Sequence, residues 1–349
     1  DDGILATVQK HLYLYIPLLT MGLMSKETSS GSIKLLYSSP VTVKEIILGK
    51  YLSMIVYCLF LAIILTSFIF VGSYSIEALD IKFVLGGVLG IYLLMCVYSA
   101  IGLYMSSLTS YQVVAAISTL AVLAILNFIG SIGQSYDFIR EITYWISING
   151  RADYFVNGLL STKDFMYFIL AIALFLSLCI FRLNNERNTI SVFKKSITYL
   201  ILILGVVFIG FITSLPTVNK YYDTTRNKDR TLSKTSQDLI KELDKTIHLT
   251  TYVNLIHPSS KLGAPENRIN DKQRFEKYRR FIPKMTMSYV YYYDSLRYNR
   301  DTTKTLLEKA KNAAKVLNVD FDNVLSPSQI SEKIDLKKED NRLVRFIHY

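Results

Sequence analysis

Long apolar stretches without a charged residue constrain this chain more than any other feature of its sequence. The longest runs from Phe83 to Tyr136, 54 residues that contain no Asp, Glu, Lys or Arg. A helix needs about 20 predominantly apolar residues to cross the hydrocarbon core of a bilayer. The stretch is therefore too long for one crossing, and it fits two crossings joined by the polar segment Ser106–Gln112.

Four further uncharged stretches each predict one crossing. Three of them, with 26, 17 and 24 residues, are Tyr51–Ile76, Phe165–Phe181 and Ser196–Asn219. The fourth, His11–Ser25, has only 15 residues. It reaches crossing length if it extends back to Ile4, with the Lys10 side chain reaching toward the lipid headgroups. The sequence thus predicts an α-helical polytopic membrane protein with about six visible spans.

Residues 219–349 have a different composition, with charges every few positions. Helix-like patterns at 231–243, 270–281 and 303–317 alternate with strand-like patterns at 247–253, 286–293 and 343–349. Such alternation predicts a layered α/β domain with a largely parallel sheet. The sequence starts without Met in what should be an outer loop and stops at the third strand. We therefore expect an earlier span to be missing and this domain to be truncated.

Basic residues in short loops predict the orientation, because cytoplasmic loops are enriched in Lys and Arg. Loops on one side carry eight of them, and loops on the other side carry four: Lys82, Arg140, Arg151 and Lys163. The richer side is assigned to the cytoplasm. We predict three parts, which are a transmembrane domain at 1–182, a cytoplasmic linker with an additional transmembrane helix at 183–218, and an extracytoplasmic α/β auxiliary domain at 219–349.

A compact polar passage at residues 26–50, named here the docking loop, separates two apolar stretches on the predicted cytoplasmic side. A glycine permits a tight bend, two leucines supply apolar contacts, and a proline ends the segment before a helical pattern resumes. We interpret the passage as an ordered loop that contacts a soluble partner, although an interfacial elbow without a partner remains an alternative. Its candidate coupling residues are Glu27, Gly31, Leu35, Leu36 and Pro40.

Gly86 and Gly90 form a small-xxx-small pair near the start of the longest uncharged stretch, Phe83–Tyr136. Small side chains let membrane helices approach closely. We therefore predict that these glycines pack helices together, either at the centre of the bundle or at a dimer seam.

Several function classes find no support in the sequence. No phosphate-binding loop of the GxxxxGK[ST] type is present, and no known catalytic motif or metal-ligand spacing appears. We predict that the chain is not an enzyme and has no cofactor or metal of its own. Residues 219–349 hold 26 basic and 17 acidic residues. That surface is either a solvated face or a contact for anionic lipid or an acidic polymer, and nucleic acid is excluded as a partner.

The docking loop and its surroundings resemble the type-2 ABC exporter permeases, on the segments Leu19–Glu27, Ser30–Leu36, Ser39–Val41 and Ile47–Lys50. Ala100–Thr109 followed by Gln112–Ala115 is similar to the gliding-motility-associated branch of that superfamily. Gly150–Phe155, Gly158 and Thr162–Phe168 are similar to the segment before its last permease span. The tail around Arg230–Ile240 and Ile247–Val253 resembles the extracytoplasmic auxiliary subunit of the same system. Lys34 departs from the family pattern, which usually has an acid there.

This resemblance implies a permease subunit of an ATP-driven exporter in the bacterial inner membrane, with residues 219–349 in the periplasm. It implies a homo- or heterodimer of permeases, bound to cytoplasmic ABC ATPase subunits that use ATP and Mg²⁺. The docking loop would carry the coupling helix. A second hypothesis is a force-transmitting ABC membrane complex that moves no solute and acts on an envelope partner.

Overall fold

The structure is a computed structural model that describes residues 4–74, 80–134, 136–148, 150–187, 191–214, 218–242, 246–282, 285–294, 303–334 and 344–348. Its contacts divide the chain into two compact units. The first contains residues 1–128 and 148–230, and the second contains residues 129–147 and 231–349.

The first unit is a bundle of long apolar helices with short helices at its ends. Its helices are α1 (Ile4–Thr20), α2 (Ser25–Ser30), α3 (Ile33–Ser38), α4 (Val43–Ser73), α5 (Ile81–Leu108), α6 (Gln112–Phe128), α8 (Arg151–Val156), α9 (Thr162–Arg187) and α10 (Val192–Ser214). The helix numbered α7 (Asp137–Ile146) belongs to the second unit. Two short strands, β1 (Leu159–Ser161) and β2 (Tyr221–Asp223), complete the first unit.

Helix α5 is the centre of this bundle. It packs against α1, α2, α4, α6, α8 and α9, and most of its residues are buried. Small residues permit this close packing, because a Cβ atom at Gly90 would collide with the Cβ of Phe155 on α8, and one at Gly102 would collide with Thr20 on α1. Gly86 has more room, since its nearest neighbour would lie 3.4 Å from an added Cβ. Both predicted packing glycines thus lie against other parts of the same chain.

The helices of the bundle run in alternating directions. Along α1, Leu5 lies against Gly87 and Thr20 against Gly102, so α1 runs parallel to α5, as alternation along the chain through α4 requires. At the C-terminal end of α5 lie the start of α2, the start of α6 and the end of α9. At its N-terminal end lie α8 and strand β1. The bundle therefore has a docking-loop end and a β1–β2 end, separated by the length of α5, about 42 Å for its 28 residues.

Among the described residues, four helices are long and apolar enough to cross a membrane: Val43–Gly72, Ile81–Leu108, Thr162–Asn185 and Phe193–Ser214. Helices α1 and α6 have 17 residues each, about 26 Å, which is less than the roughly 30 Å of a hydrocarbon core. The predicted polar connection Ser106–Gln112 is shorter than expected. Because α5 continues to Leu108, only residues 109–111 join it to α6.

The chain after α10 folds back onto the first unit. Strand β2 pairs antiparallel with β1, with Leu159 opposite Asp223 and Ser161 opposite Tyr221. This pairing explains why the first unit extends to residue 230, past the predicted boundary at 218. The other predicted boundary, at 182, lies inside α9, because the polar residues that follow Arg182 continue the helix to Arg187.

A three-stranded sheet forms the centre of the second unit, in the order β4-β3-β5. The strands are β3 (Ile247–Asn254), β4 (Met285–Tyr292) and β5 (Val344–His348). The helices of the 231–349 part are α11 (Lys234–Glu242), α12 (Arg268–Arg274), α13 (Glu276–Arg279), α14 (Thr303–Val316) and α15 (Pro327–Lys333). One face of the sheet packs around Val253 and Tyr291 against Ala314 and Leu317. Another cluster joins Tyr252 and Tyr292 to Ile330 and Ile334.

The predicted elements of this tail correspond to observed ones, with one difference in the sheet. Strand β3 is parallel to β4, with Ile247 opposite Met285, but antiparallel to β5, with His248 opposite His348. The sheet is therefore mixed, and the prediction of a largely parallel sheet was wrong for its third strand. The predicted end residues Ile76, Leu243, Leu343 and Tyr349 lie outside the described residues.

The packing of α5 predicts different responses at two glycines. Gly90→Ala should lower the thermal unfolding midpoint of the purified chain, at a cost of about 1–3 kcal/mol, because the colliding Phe155 Cβ is fixed to the backbone of α8. Gly205→Ala on α10 is the matched control, since no atom lies within 4 Å of its added Cβ. Equal midpoints for the two variants would contradict the close α5–α8 packing.

Candidate functional site

The docking loop consists of two short helices and the first turns of α4. Helix α2 ends at Ser30, and Gly31 follows with a φ of 74°. An added Cβ at Gly31 would meet no atom within 4 Å, so glycine is needed there for its backbone conformation and not for space. The predicted bend is present at this position, between the end of α2 and the start of α3.

The exit from α3 is equally well defined. The helix ends at Ser38, and Ser39 is extended ahead of Pro40, which cannot continue a helix. Thr42 then caps α4, because its side chain accepts from the Glu45 N–H while the Glu45 carboxylate accepts from the Thr42 N–H at 2.8 Å. This reciprocal capping box fixes the direction in which α4 leaves the loop.

A buried serine ties the loop to the central helix. Ser106, in the last turns of α5, is fully buried. Its hydroxyl oxygen accepts from the backbone N–H groups of Met24 and Ser25, each at 3.0 Å, and its O–H donates to the Met21 carbonyl at 2.8 Å. The first N–H groups of a helix have no partner within it, so Ser106 supplies one from another helix. The start of α2 therefore cannot shift without stretching or breaking hydrogen bonds to α5.

An ion pair ties the loop to α4. The Lys50 ammonium group donates to the Glu27 carboxylate at 2.5 Å and to the Leu23 carbonyl at 2.7 Å. Glu27 was predicted as a coupling residue, and the structure places its carboxylate against Lys50 of the same chain, with the side chain 27% exposed. Its geometry is that of a residue that positions α2 against α4.

The two predicted leucines of α3 differ in their surroundings. Leu35 is 73% exposed, whereas Leu36 is half-buried. The side of α3 that carries Ile33 and Tyr37 packs on a core formed by Met24, Val43, Ile47, Tyr51, Ala100, Leu103, Leu176, Cys179 and Leu183. The opposite side presents Lys34, Leu35 and Ser38 to the surroundings, with exposed Pro40 beyond the end of the helix. Helix α3 is thus an amphipathic element that is held on one side and free on the other.

Sequence reasoning missed the role of Ser106, which it assigned to a polar connection between spans. A serine inside a polar segment carries no signal for its partner, because the partner lies 82 residues away, at Met24. Lys50 appeared in the sequence only as the end of the docking loop. A pairing with Glu27 could have been proposed from their opposite charges at the ends of one loop.

The opposite end of the bundle contains a buried ion pair. Arg151 of α8 donates to the Asp164 carboxylate at 3.1 Å, and the guanidinium group lies 3.8 Å from the centre of the Tyr167 ring. The same carboxylate accepts from the Ser161 hydroxyl at 2.6 Å. These contacts join α8, β1 and α9 at the β1–β2 end. In the part of the chain that the structure describes, no group of three or more potential metal ligands occurs.

Comparison with known proteins concerns most of the first unit. The model of a family described as ABC-2 family transporter protein matches residues 12–212. The matched region includes the docking loop, α4, α5, α6 and α9, and it ends within α10. No curated protein and no solved structure matches the chain. Because the match covers more than half of the 349 residues, the chain belongs to the ABC-2 transporter family, as a transmembrane permease of an ABC transporter.

Proposed function

We propose that this chain is the permease subunit of an ATP-driven exporter, and that its docking loop receives force from a separate ATPase subunit. One observation carries the proposal: α3 presents Leu35 on its free side while its neighbour α2 is bonded to the buried Ser106 of α5. A permease of this family normally works with an ATPase subunit. An exposed apolar residue on a fixed short helix is the type of anchor that a partner groove takes up.

Two sets of contacts connect the docking loop mechanically to the long helices of the bundle. A movement of α2 and α3 acts on α5 through the three hydrogen bonds of Ser106, and on α4 through the Glu27–Lys50 pair. Helix α5 touches six other helices of the bundle, α2 among them, so its displacement changes the packing of the whole bundle. In this mechanism the ATPase subunit holds ATP and Mg²⁺, and the permease alternates access between the two sides of the membrane.

We further propose six crossings, with the docking loop cytoplasmic and residues 219–349 periplasmic in a bacterial inner membrane. The alternating directions of the six helices support this topology, although α1 and α6 are short. The excess of basic residues around the docking loop supports the orientation. The β1–β2 pairing supports an exit of the tail at the end opposite the docking loop.

The remaining parts of the proposal concern assembly. A homo- or heterodimer of permeases, membership of the gliding-motility-associated branch and a fused auxiliary domain rest on the sequence segments that resemble those systems. The exposed apolar residues of α4 and α10, such as Phe60, Phe68, Leu200 and Phe208, support extensive contact with lipid.

Leu35→Asp should prevent the ATPase subunit from co-purifying with the full chain, because a carboxylate replaces the apolar anchor of α3. The variant should keep the thermal unfolding midpoint of the wild type, since the side chain is exposed. The control is Val316→Asp on α14, an equally exposed apolar residue, at 72%, in the second unit. Undiminished co-purification of Leu35→Asp would remove the coupling role of α3.

Ser106→Ala should leave ATPase binding intact and interrupt transmission to α5. The readout is the maleimide labelling rate of a cysteine introduced at exposed Ile81, in a chain whose three native cysteines are replaced by alanine. ATP should change this rate in the parent chain and not in Ser106→Ala. Ser107→Ala is the neighbouring control, because the Ser107 hydroxyl donates to the Tyr104 carbonyl of its own helix and makes no hydrogen bond with α2 among the described residues. An ATP response that persists in Ser106→Ala contradicts the proposed route.

Labelling of intact cells tests the topology. Cysteines at exposed Lys34 and Lys234 should react differently with a membrane-impermeant maleimide, because the proposal places them on opposite sides of the membrane. Only the cysteine at 234 should react before the cells are opened. Reaction at 34 in intact cells would invert the topology and exclude a cytoplasmic docking loop.

A further inference from the structure

A cavity of about 540 Å³ that is lined by several charged side chains lies at the β1–β2 end of the first unit. The residues at the start of α5 form one wall, with Asp80 and Lys82, and the loop after β2 forms the other, with Thr224, Thr225, Arg226 and Lys228. A volume of roughly 300–1,000 Å³ is typical of small-molecule sites. Three cations and one carboxylate line this cavity, so its chemistry favours an anion.

The loop after β2 has a fixed shape before any ligand binds. The buried Asp223 carboxylate accepts from the Thr225 N–H at 2.9 Å, from the Thr225 hydroxyl at 2.6 Å and from the Arg230 N–H at 2.9 Å. Thr224 donates its N–H and its hydroxyl to the Gly158 carbonyl, both at 2.8 Å. These hydrogen bonds fix the backbone of the loop when the protein folds. Ligand binding therefore does not have to order the loop, and the entropic cost of doing so does not weaken binding.

Two of the cations have no partner among the residues that the structure describes. No hydrogen bond or ion pair to the side chains of Lys82 or Arg226 occurs among the described residues, and both side chains are exposed. Lys228 is held, with its ammonium group 2.5 Å from the Asp223 carbonyl and 5.3 Å from the centre of the Tyr222 ring. The Asp80 carboxylate caps α5 by accepting from the Phe83 N–H at 3.3 Å, so it is already engaged.

The position of the cavity narrows the class of anion. It adjoins the first turn of α5, a helix apolar enough to cross a membrane, and a loop that follows the end of α10, another such helix. The ends of membrane-spanning helices lie at the level of the lipid headgroups. Phosphate groups are the anions present at that level, and Arg and Lys are the side chains that bind them most strongly.

We propose that this cavity binds a phosphate group, with Lys82 and Arg226 as the binding cations and Lys228 as a third, pre-positioned charge. The phosphate belongs either to an anionic lipid headgroup or to a soluble phosphorylated compound. The proposal rests on the membrane location of the bundle and is independent of the coupling role of the docking loop. A measurement of binding therefore tests it, whatever the chain transports.

The test measures binding to the purified full chain in neutral detergent. Phosphatidylglycerol, phosphatidylcholine and inorganic phosphate are added separately, and the thermal unfolding midpoint and the lipids retained in native mass spectrometry are recorded. The wild type should be stabilised by phosphatidylglycerol and retain it in preference to phosphatidylcholine. The double variant Lys82→Gln/Arg226→Gln should bind at least about tenfold more weakly, because two charge-assisted hydrogen bonds are lost.

Lys220→Gln/Lys234→Gln is the matched control, since it removes the same amount of charge at exposed positions outside the cavity. It should retain the wild-type preference. Stabilisation by inorganic phosphate that disappears only in the cavity variant would support the site and assign it to a soluble ligand. Equal losses in both double variants would overturn the proposal in favour of diffuse surface charge. A wild type that none of the three additives stabilises would also overturn it.

Discussion

The close packing of other helices around α5 is the constraint on which the rest of the first unit depends. Inside a bilayer, apolar side chains gain little by leaving lipid for protein, so helices associate through van der Waals contact and hydrogen bonds. Helix α5 meets this condition with glycines where α1 and α8 approach, and with hydroxyl groups such as those of Ser99 and Ser106. The bundle is therefore organised around one buried helix, while α4 and α10 keep most of their apolar surface exposed.

The two ends of α5 have different chemistry. At the docking-loop end, Ser106 satisfies backbone groups of another helix, and the Glu27–Lys50 pair adds a second attachment. At the β1–β2 end, Gly86 lies beside Thr224, and the buried Arg151–Asp164 pair joins α8 to α9. One end thus attaches two short helices to the bundle through hydrogen bonds and an ion pair, and the other end joins its helices through a buried ion pair and a strand pairing. Helix α5 connects them.

Sequence reasoning located the helices and the docking loop because both leave a local pattern. Uncharged runs gave α4, α5, α6, α9 and α10, and the glycine and proline signals gave the bend at Gly31 and the end of α3. The ends of the helices were less predictable than their centres. Helix α4 starts at Val43, well before its uncharged run begins at Tyr51, because charged residues are compatible with a helix outside the hydrocarbon core. The different exposure of Leu35 and Leu36, the partner of Ser106 and the β1–β2 pairing depend on tertiary contacts, and none of these has a local signature.

The β1–β2 pairing has a mechanical consequence for the two helices beside it. Strand β1 runs directly into α9, and β2 follows α10. Their pairing therefore holds the two helices together at the start of α9 and the end of α10, opposite the connection between them. Sliding of α9 along α10 would break the ladder, and the 4.9 Å contact between the Phe181 and Tyr199 rings near the other end resists the same shear. These two attachments, one near each end of the hairpin, resist sliding of α9 against α10 and favour displacement of the two helices together.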